Sequence, residues 1–214
     1  RCYDLCSNKS GNIFTYSKNR IRKGVVRPPK RILIPSLIEH ESCISLTHSR
    51  CWDPTSRLKS AREEGAGLFQ ITRAYRSDCT IRFDALEELR VRYRKELYEL
   101  NWDNIYTRPD LQIRAGILKS RENYMYFSKF VPDTIEALAF ADAAYNGGIA
   151  GVNSERKACY VTKGCDSNKW FGHTEKICLK SKLALYGNRS ACDINRHHVR
   201  DVLLVRPNKY KGRI

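Results

Sequence analysis

Apolar positions in the first half of the chain recur at helical intervals. Ile34, Leu37, Ile38 and Glu41 fall at i, i+3, i+4 and i+7, which is one face of a helix. Pro35 suits the first turn of that helix. The pattern puts Glu41 on the core-facing stripe and turns Glu39, about 200° away, toward water. Residues 43–62 read as a polar, irregular insert. The turn at Gly65–Gly67 follows, then a short helix through about Tyr75. Phe83, Leu86, Leu89, Tyr93, Leu97 and Leu100 predict a long amphipathic helix with arginine, lysine and glutamate on its outer face. Asn101-Trp102-Asp103 ends it.

Pro109 and Asp110 open another helix, with Leu111, Ala115, Leu118 and Met125 on one side. Pro132 and Asp133 open the next. There Ile135, Leu138, Asp142 and Tyr145 share a face, while Ala137, Ala141 and Ala144 permit close approach of a neighbour. Asn146-Gly147-Gly148 stops that helix. Tyr145 and Asn146 are thereby placed at a helix C-terminus, where side chains can project into a cleft. Toward the end of the chain, helices are expected from about Lys169 to Tyr186 and from about Asp193 to Val205. No internal repeat or strand-rich region stands out, so the expected class is mainly α. The expected organisation is a basic N-terminal arm (1–31), a main helical domain (32–155) and a cysteine-rich helical extension (156–214). The extension is either packed on the core or appended to it.

The chain has 214 residues, enough for one sizeable core or for one domain with an appendage. It opens on Arg1 rather than Met, so a preceding segment is expected to have been removed or trimmed away. No run of about 18 apolar residues exists, so no transmembrane segment is expected. The formal charge of +16 is spread along the chain and suits polyanions in general: nucleic acid, anionic envelope polymers or lipopolysaccharide. No nucleic-acid motif is visible, and nucleic acid is not expected as a partner.

Nine cysteines are many for a cytosolic chain of this length, and none lies in a Cys-x-x-Cys pair of zinc-finger type. Most fall into close pairs: Cys2 with Cys6, Cys43 with Cys51, Cys159 with Cys165, and Cys178 with Cys192. Cys79 is left over. Proximity suggests local disulfides and an extracytoplasmic, periplasmic or extracellular location. The alternative is a set of reduced structural cysteines. His48, His173, His197 and His198 lack the spacing of a metal site and read as surface or structural. No metal or cofactor is expected.

The candidate chemistry begins with Glu41. A carboxyl at the end of an apolar stripe is partly desolvated, its pKa is expected to rise, and it then suits a general acid. The alternative is a buried carboxylate paired with an arginine. The segment Gly65-Ala66-Gly67-Leu68-Phe69-Gln70-Ile71 supplies a glycine-opened turn that lets backbone approach a ligand. Ala144-Tyr145-Asn146-x-Gly supplies polar groups at a helix end.

Glu41-Ser42, then Gly65-Ala66-Gly67-Leu68-Phe69-Gln70-Ile71, then Ala144-Tyr145-Asn146-x-Gly together resemble the soluble lytic transglycosylase family, related to goose-type lysozyme. The likeness covers roughly Ile32 to Val152. The cysteine-rich flanks resemble those of some phage-encoded cell-wall enzymes. Two departures stand out: the gap from Glu41 to Gly65 is about ten residues longer than usual for the family, and Phe69 replaces a common methionine. The resemblance implies a lysozyme-like helical domain with a disulfide-stabilised helical C-terminal extension, acting as a monomer on peptidoglycan glycan strands. It implies cleavage of the β-1,4 bond between N-acetylmuramic acid and N-acetylglucosamine, with Glu41 as the single acid/base.

It further implies substrate-binding roles for Ser42, Gly67, Phe69, Gln70, Tyr145 and Asn146. Phe69 would form an apolar wall, and Gln70 would bond the acetamido group or hydroxyls. The Tyr145 hydroxyl would tune Glu41, and Asn146 would contact the sugar. For Ser42 a simple helix-end hydroxyl stands equally. A hydrolytic muramidase would instead need a second carboxylate, from Asp53, Glu63, Glu64 or Asp142. The basic surface would make electrostatic contact with an anionic envelope.

Overall fold

The computed structural model describes residues 33–43, 51–60 and 62–210. The arm expected at 1–31, with Cys2 and Cys6, lies outside them, as does His48. The chain divides into two compact units, whose described residues are 37–43, 51–60 and 62–118 in the first, and 33–36 and 119–210 in the second. No described helix is long and apolar enough to cross a membrane. Among the described residues the fold is mixed α/β: helices predominate beside a four-stranded and a two-stranded antiparallel sheet that the apolar pattern did not predict.

Helix α1 spans Leu33–Ser42. It is buried on nearly every side. Leu33, Ile34, Ser36, Leu37, Ile38 and Glu39 are all closed to solvent, while His40 and Glu41 are half-buried. The expected orientation is therefore corrected: Glu39 points inward and Glu41 is the more open carboxyl. A helix embedded on most sides has no single stripe for periodicity to find.

The first unit is organised on a four-stranded antiparallel meander in sequence order: β1 (Arg57–Lys59), β2 (Glu63–Ala66), β3 (Ile71–Tyr75) and β4 (Ile81–Asp84). It replaces both the expected irregular run up to residue 62 and the expected short helix through Tyr75. Glu64 sits opposite Arg73, and Ala66 opposite Ile71. The β3–β4 turn is closed by Asp78, whose carboxylate accepts from the Thr80 N–H at 3.0 Å and hydroxyl at 2.7 Å. Asp84 then caps α2 (Ala85–Arg92) by accepting from the Glu87 N–H at 3.0 Å. The single long helix expected over 83–100 is broken at Tyr93, whose ψ of 49° leaves the helical region, and resumes as α3 (Arg94–Leu97). Helix α4 (Pro109–Phe127) begins where proline predicted, and its first half belongs to this unit.

The second unit packs helices. Asp133 caps α5 (Thr134–Gly147), and the chain leaves it through Gly148 at φ 78° into α6 (Ile149–Tyr160). The expected helix from Lys169 to Tyr186 is absent. A turn at Trp170–Lys176 leads instead to a hairpin of β5 (Ala184–Tyr186) and β6 (Arg189–Ser190). A Ser190–Asp193 capping box starts α7 (Ala191–Arg200), and a π-turn (Asp201–Val205) and α8 (Pro207–Tyr210) follow. Trp170, Val199 and Leu203 join Leu33, Ala137, Phe140, Ala144 and Val152 in one apolar cluster. Residues beyond 156 therefore complete a core rather than hang from it, and α6 runs through the expected domain boundary.

Disulfides link Cys43–Cys51, Cys159–Cys165 and Cys178–Cys192, the pairs that proximity suggested. Cys79 is disulfide-bonded as well, which corrects its expected place as the cysteine left over. Such bonds persist in oxidising compartments.

Candidate functional site

Glu41 occupies the last turn of α1, and the residues after it are tied down. The Ser42 hydroxyl donates to the Ile38 carbonyl at 2.7 Å and accepts from the Trp52 N–H at 3.2 Å. Ser42 is buried and fastens the insert to the helix end, so the helix-end reading describes its contacts. The Cys43–Cys51 disulfide closes the same insert one residue further on. Glu41 is thus carried on a stiff base while staying open to solvent on one side.

The glycine turn in the same unit is locked from beneath. Gly67 has φ +70°, where side chains are disfavoured. An added Cβ would lie 2.2 Å from Gln112 Oε1. That oxygen accepts from the Leu68 N–H at 2.9 Å, while Gln112 Nε2 donates to the carbonyls of Pro54 (3.0 Å) and Ile105. Gln112 is fully buried and joins the turn, the insert and the start of α4. Sequence reasoning passed it over, because a glutamine on a helix carries no local sign of a partner 44 residues away.

Two expected ligand residues prove structural in their contacts. Phe69 is 0% exposed, and its ring lies where a Cβ on Gly116 would come within 2.3 Å. It packs against the α4 backbone, which corrects the expected sugar-facing wall. Gln70, left-handed at φ 42°, directs its amide nitrogen to the Gly67 carbonyl (2.9 Å) and to the Ser56 carbonyl and hydroxyl (both 3.3 Å). These bonds clamp its own turn, and the side chain stays half-buried.

The four candidate second carboxylates differ. Asp53 accepts from the Thr55 N–H and hydroxyl, an Asx-type turn. Glu63 is half-buried. Glu64 is buried and held by Arg57, by Arg73 at 3.1 Å and by the Tyr106 hydroxyl at 3.1 Å. Burial acts to raise its pKa, but the Arg73 hydrogen bond and the Arg57 charge outweigh that, and it titrates below the usual glutamate range. Burial, then the Glu64 charge, push the Tyr106 hydroxyl well above the ordinary tyrosine range. Asp142 belongs to the second unit, where its Oδ2 lies 2.7 Å from His198 Nδ1 and both are buried.

Tyr145 and Asn146 also lie in the second unit. The Tyr145 ring is buried, stacked with His198 at 6.2 Å between centroids, and Lys119 Nζ lies 4.2 Å from its centre. Asn146 is exposed at the end of α5, with its Oδ1 accepting from Asn195 Nδ2 at 3.0 Å. Asn195 also donates to the Ala143 carbonyl at 2.9 Å and is fully buried. Glu155, 0% exposed, lies 2.9 Å from Lys180 and 3.1 Å from Arg196. Asn195 and Glu155 gave no sequence signal, and His198 read only as surface or structural, since each depends on contacts between separate elements.

Of the remaining histidines, His173 accepts from the Asp166 N–H at 3.0 Å and His197 is exposed. Carboxylates approach cysteine sulfurs at Glu39 with Cys43 and Cys51, and at Glu155 with Cys178 and Cys192. Those sulfurs are bonded to each other, so they do not offer thiolate ligands. No family model, curated protein or solved structure matches this chain.

Proposed function

We propose that the protein is a peptidoglycan-cleaving enzyme with a lysozyme-like catalytic region. It breaks the β-1,4 bond between N-acetylmuramic acid and N-acetylglucosamine as a lytic transglycosylase. One observation carries this reading: Glu41 stands half-open on a helix end fixed by Ser42 and Cys43–Cys51, in the same unit as the locked Gly67 turn. An acid/base needs both a fixed position and access to its substrate. The resemblance of the Glu-Ser, Gly-Leu-Phe-Gln-Ile and Ala-Tyr-Asn segments supplies the substrate class.

In the proposed reaction Glu41 protonates the leaving glycosidic oxygen as the C1–O bond breaks. The substrate's own acetamido oxygen stabilises C1 of the muramoyl residue. Ionised Glu41 then takes the proton of the muramoyl 6-hydroxyl, whose oxygen closes on C1. The product is a 1,6-anhydro sugar, and no water is consumed. The resemblance alone would give Tyr145 and Asn146, which belong to the second unit, a part in this reaction. Three of the four carboxylates that a hydrolytic muramidase could use are already engaged: Asp53 in its turn, Glu64 with arginines and Asp142 with His198. That favours a single-carboxyl route. The proposed compartment is the periplasm or the exterior, with a monomer acting on the wall.

The test is digestion of purified sacculi by the wild type and by Glu41→Gln, with products weighed by mass spectrometry. Anhydro-ended muropeptides from the wild type and none from the variant are expected, with circular dichroism showing the variant folded. Linear reducing ends, heavier by one water, would replace the transglycosylase with a muramidase. Undiminished solubilisation by Glu41→Gln would sink both.

A further inference from the structure

We propose that the disulfide-stapled hairpin of residues 178–192 docks the protein on an anionic lipid bilayer. Three leucines stand out from this hairpin: Leu179 is 58% exposed, Leu183 77% and Leu185 47%. Leu183 and Leu185 are two residues apart, the spacing that puts side chains on one side of extended chain. Single exposed leucines are ordinary, but three within one short stapled hairpin mark an interaction surface.

The base of the hairpin is rigid, so the leucines are held out rather than loosely tethered. Cys178 is bonded to Cys192 across the base. Lys180 is pinned to buried Glu155 at 2.9 Å, and Arg196 donates to the Ile177 carbonyl at 2.6 Å. Ser190 closes the far strand into the capping box of α7.

Charge selects the occupant. Between Glu175 and Asp193 the sequence holds Lys176, Lys180, Lys182 and Arg189 and no acidic residue. Lys176, Lys182 and Arg189 are exposed. Exposed leucines interspersed along one hairpin with exposed cations match a surface that is negative outside and apolar a few ångströms down, which is the headgroup region of an anionic bilayer. The overall charge of +16 adds long-range attraction to the same surface. This inference does not depend on Glu41 or on the proposed cleavage.

The experiment is cosedimentation of the full chain with vesicles of phosphatidylcholine alone and of phosphatidylcholine mixed with phosphatidylglycerol. Binding to the mixed vesicles is expected to exceed binding to the neutral ones by about tenfold or more. Leu183→Asp with Leu185→Asp is expected to lower it about tenfold, since both side chains are exposed and the apolar contact is lost. Val91→Asp, at an exposed apolar site of the first unit, serves as the control and leaves binding unchanged. Lys182→Glu with Arg189→Glu removes the preference for phosphatidylglycerol, while Glu41→Gln binds as wild type. The proposal is overturned if the wild type ignores anionic vesicles. It is equally overturned if the double aspartate variant, shown folded by circular dichroism, binds like the wild type, or if Val91→Asp weakens binding as much.

Discussion

Replacing Gly67 with alanine should cost far more than one methyl group suggests. Two costs combine. Holding an alanine at φ +70° costs about 1–2 kcal/mol. The new Cβ would also lie 2.2 Å from Gln112 Oε1 and 2.4 Å from Cδ, so the fully buried glutamine must move. Moving it breaks hydrogen bonds to Leu68, Pro54 and Ile105. A buried polar group left without a partner costs about 1–3 kcal/mol, so the combined cost should exceed about 4 kcal/mol. For a chain of this size that is a fall in Tm of about 8–16 °C. A double-mutant cycle separates the two costs. Gln112→Ala alone should cost about 3 kcal/mol, since it leaves the same backbone groups unpaired. With that side chain gone, the methyl group introduced by Gly67→Ala no longer meets the glutamine, and only the backbone cost remains. The double variant should therefore be less destabilised than the two singles added together, by about 2–3 kcal/mol. Urea denaturation of the four proteins reads this directly. Additivity within about 0.5 kcal/mol, or a Gly67→Ala cost under about 1 kcal/mol, would refute the claim that this glutamine locks the turn.

Two further outcomes test the electrostatic readings. Glu155→Ala strands Lys180 and Arg196 in a largely buried setting and should cost about 3–5 kcal/mol by denaturant unfolding, whereas a cost below about 1 kcal/mol would show that the cations simply turn to solvent. Glu64 titrates lower in the folded protein than in the unfolded chain, so its contribution to stability is fully present above the ordinary glutamate range and is lost as pH falls through its folded value. Unfolding measured across acidic pH should accordingly show a shallower acid decline in Glu64→Gln than in wild type, and an identical slope would contradict the assignment.

Helices with strong boundary residues were legible from sequence. Pro109 opens α4 and Asp133 caps α5, and Gly148 ends it, because each acts through its own backbone. The sheet was not legible. Its strands are only three to five residues long, and Arg57, Glu63, Glu64 and Arg73 give it neither alternation nor many β-branched side chains. What holds β2 beside β3 includes Glu64 facing Arg73, a pairing that exists only once the strands have met. The helix expected up to Tyr186 overlaps β5 because leucine and lysine suit either form. The Gly187-Asn188 turn, with Gly187 at φ +59°, was the available signal. For the candidate site, the end-of-helix place of Glu41 was readable, but which carboxyl faced inward was not, since α1 is enclosed on nearly all sides. Phe69 and Gln70 were assigned outward-looking tasks because their packing partners, Gly116 and Ser56, lie far away along the chain.

Leu33 shares its cluster with Val199 and Leu203, which ties the first described residue to a segment about 170 residues further on. Contacts so distant along the chain require closing a very long loop, and such closures come late. During synthesis, the greasy start of α1 meets its last partners in this cluster only once the segment around residue 200 has been made. A ribosome that stalls before that point releases a chain in which the helix bearing Leu33 lacks part of its cover, and which is prone to aggregate.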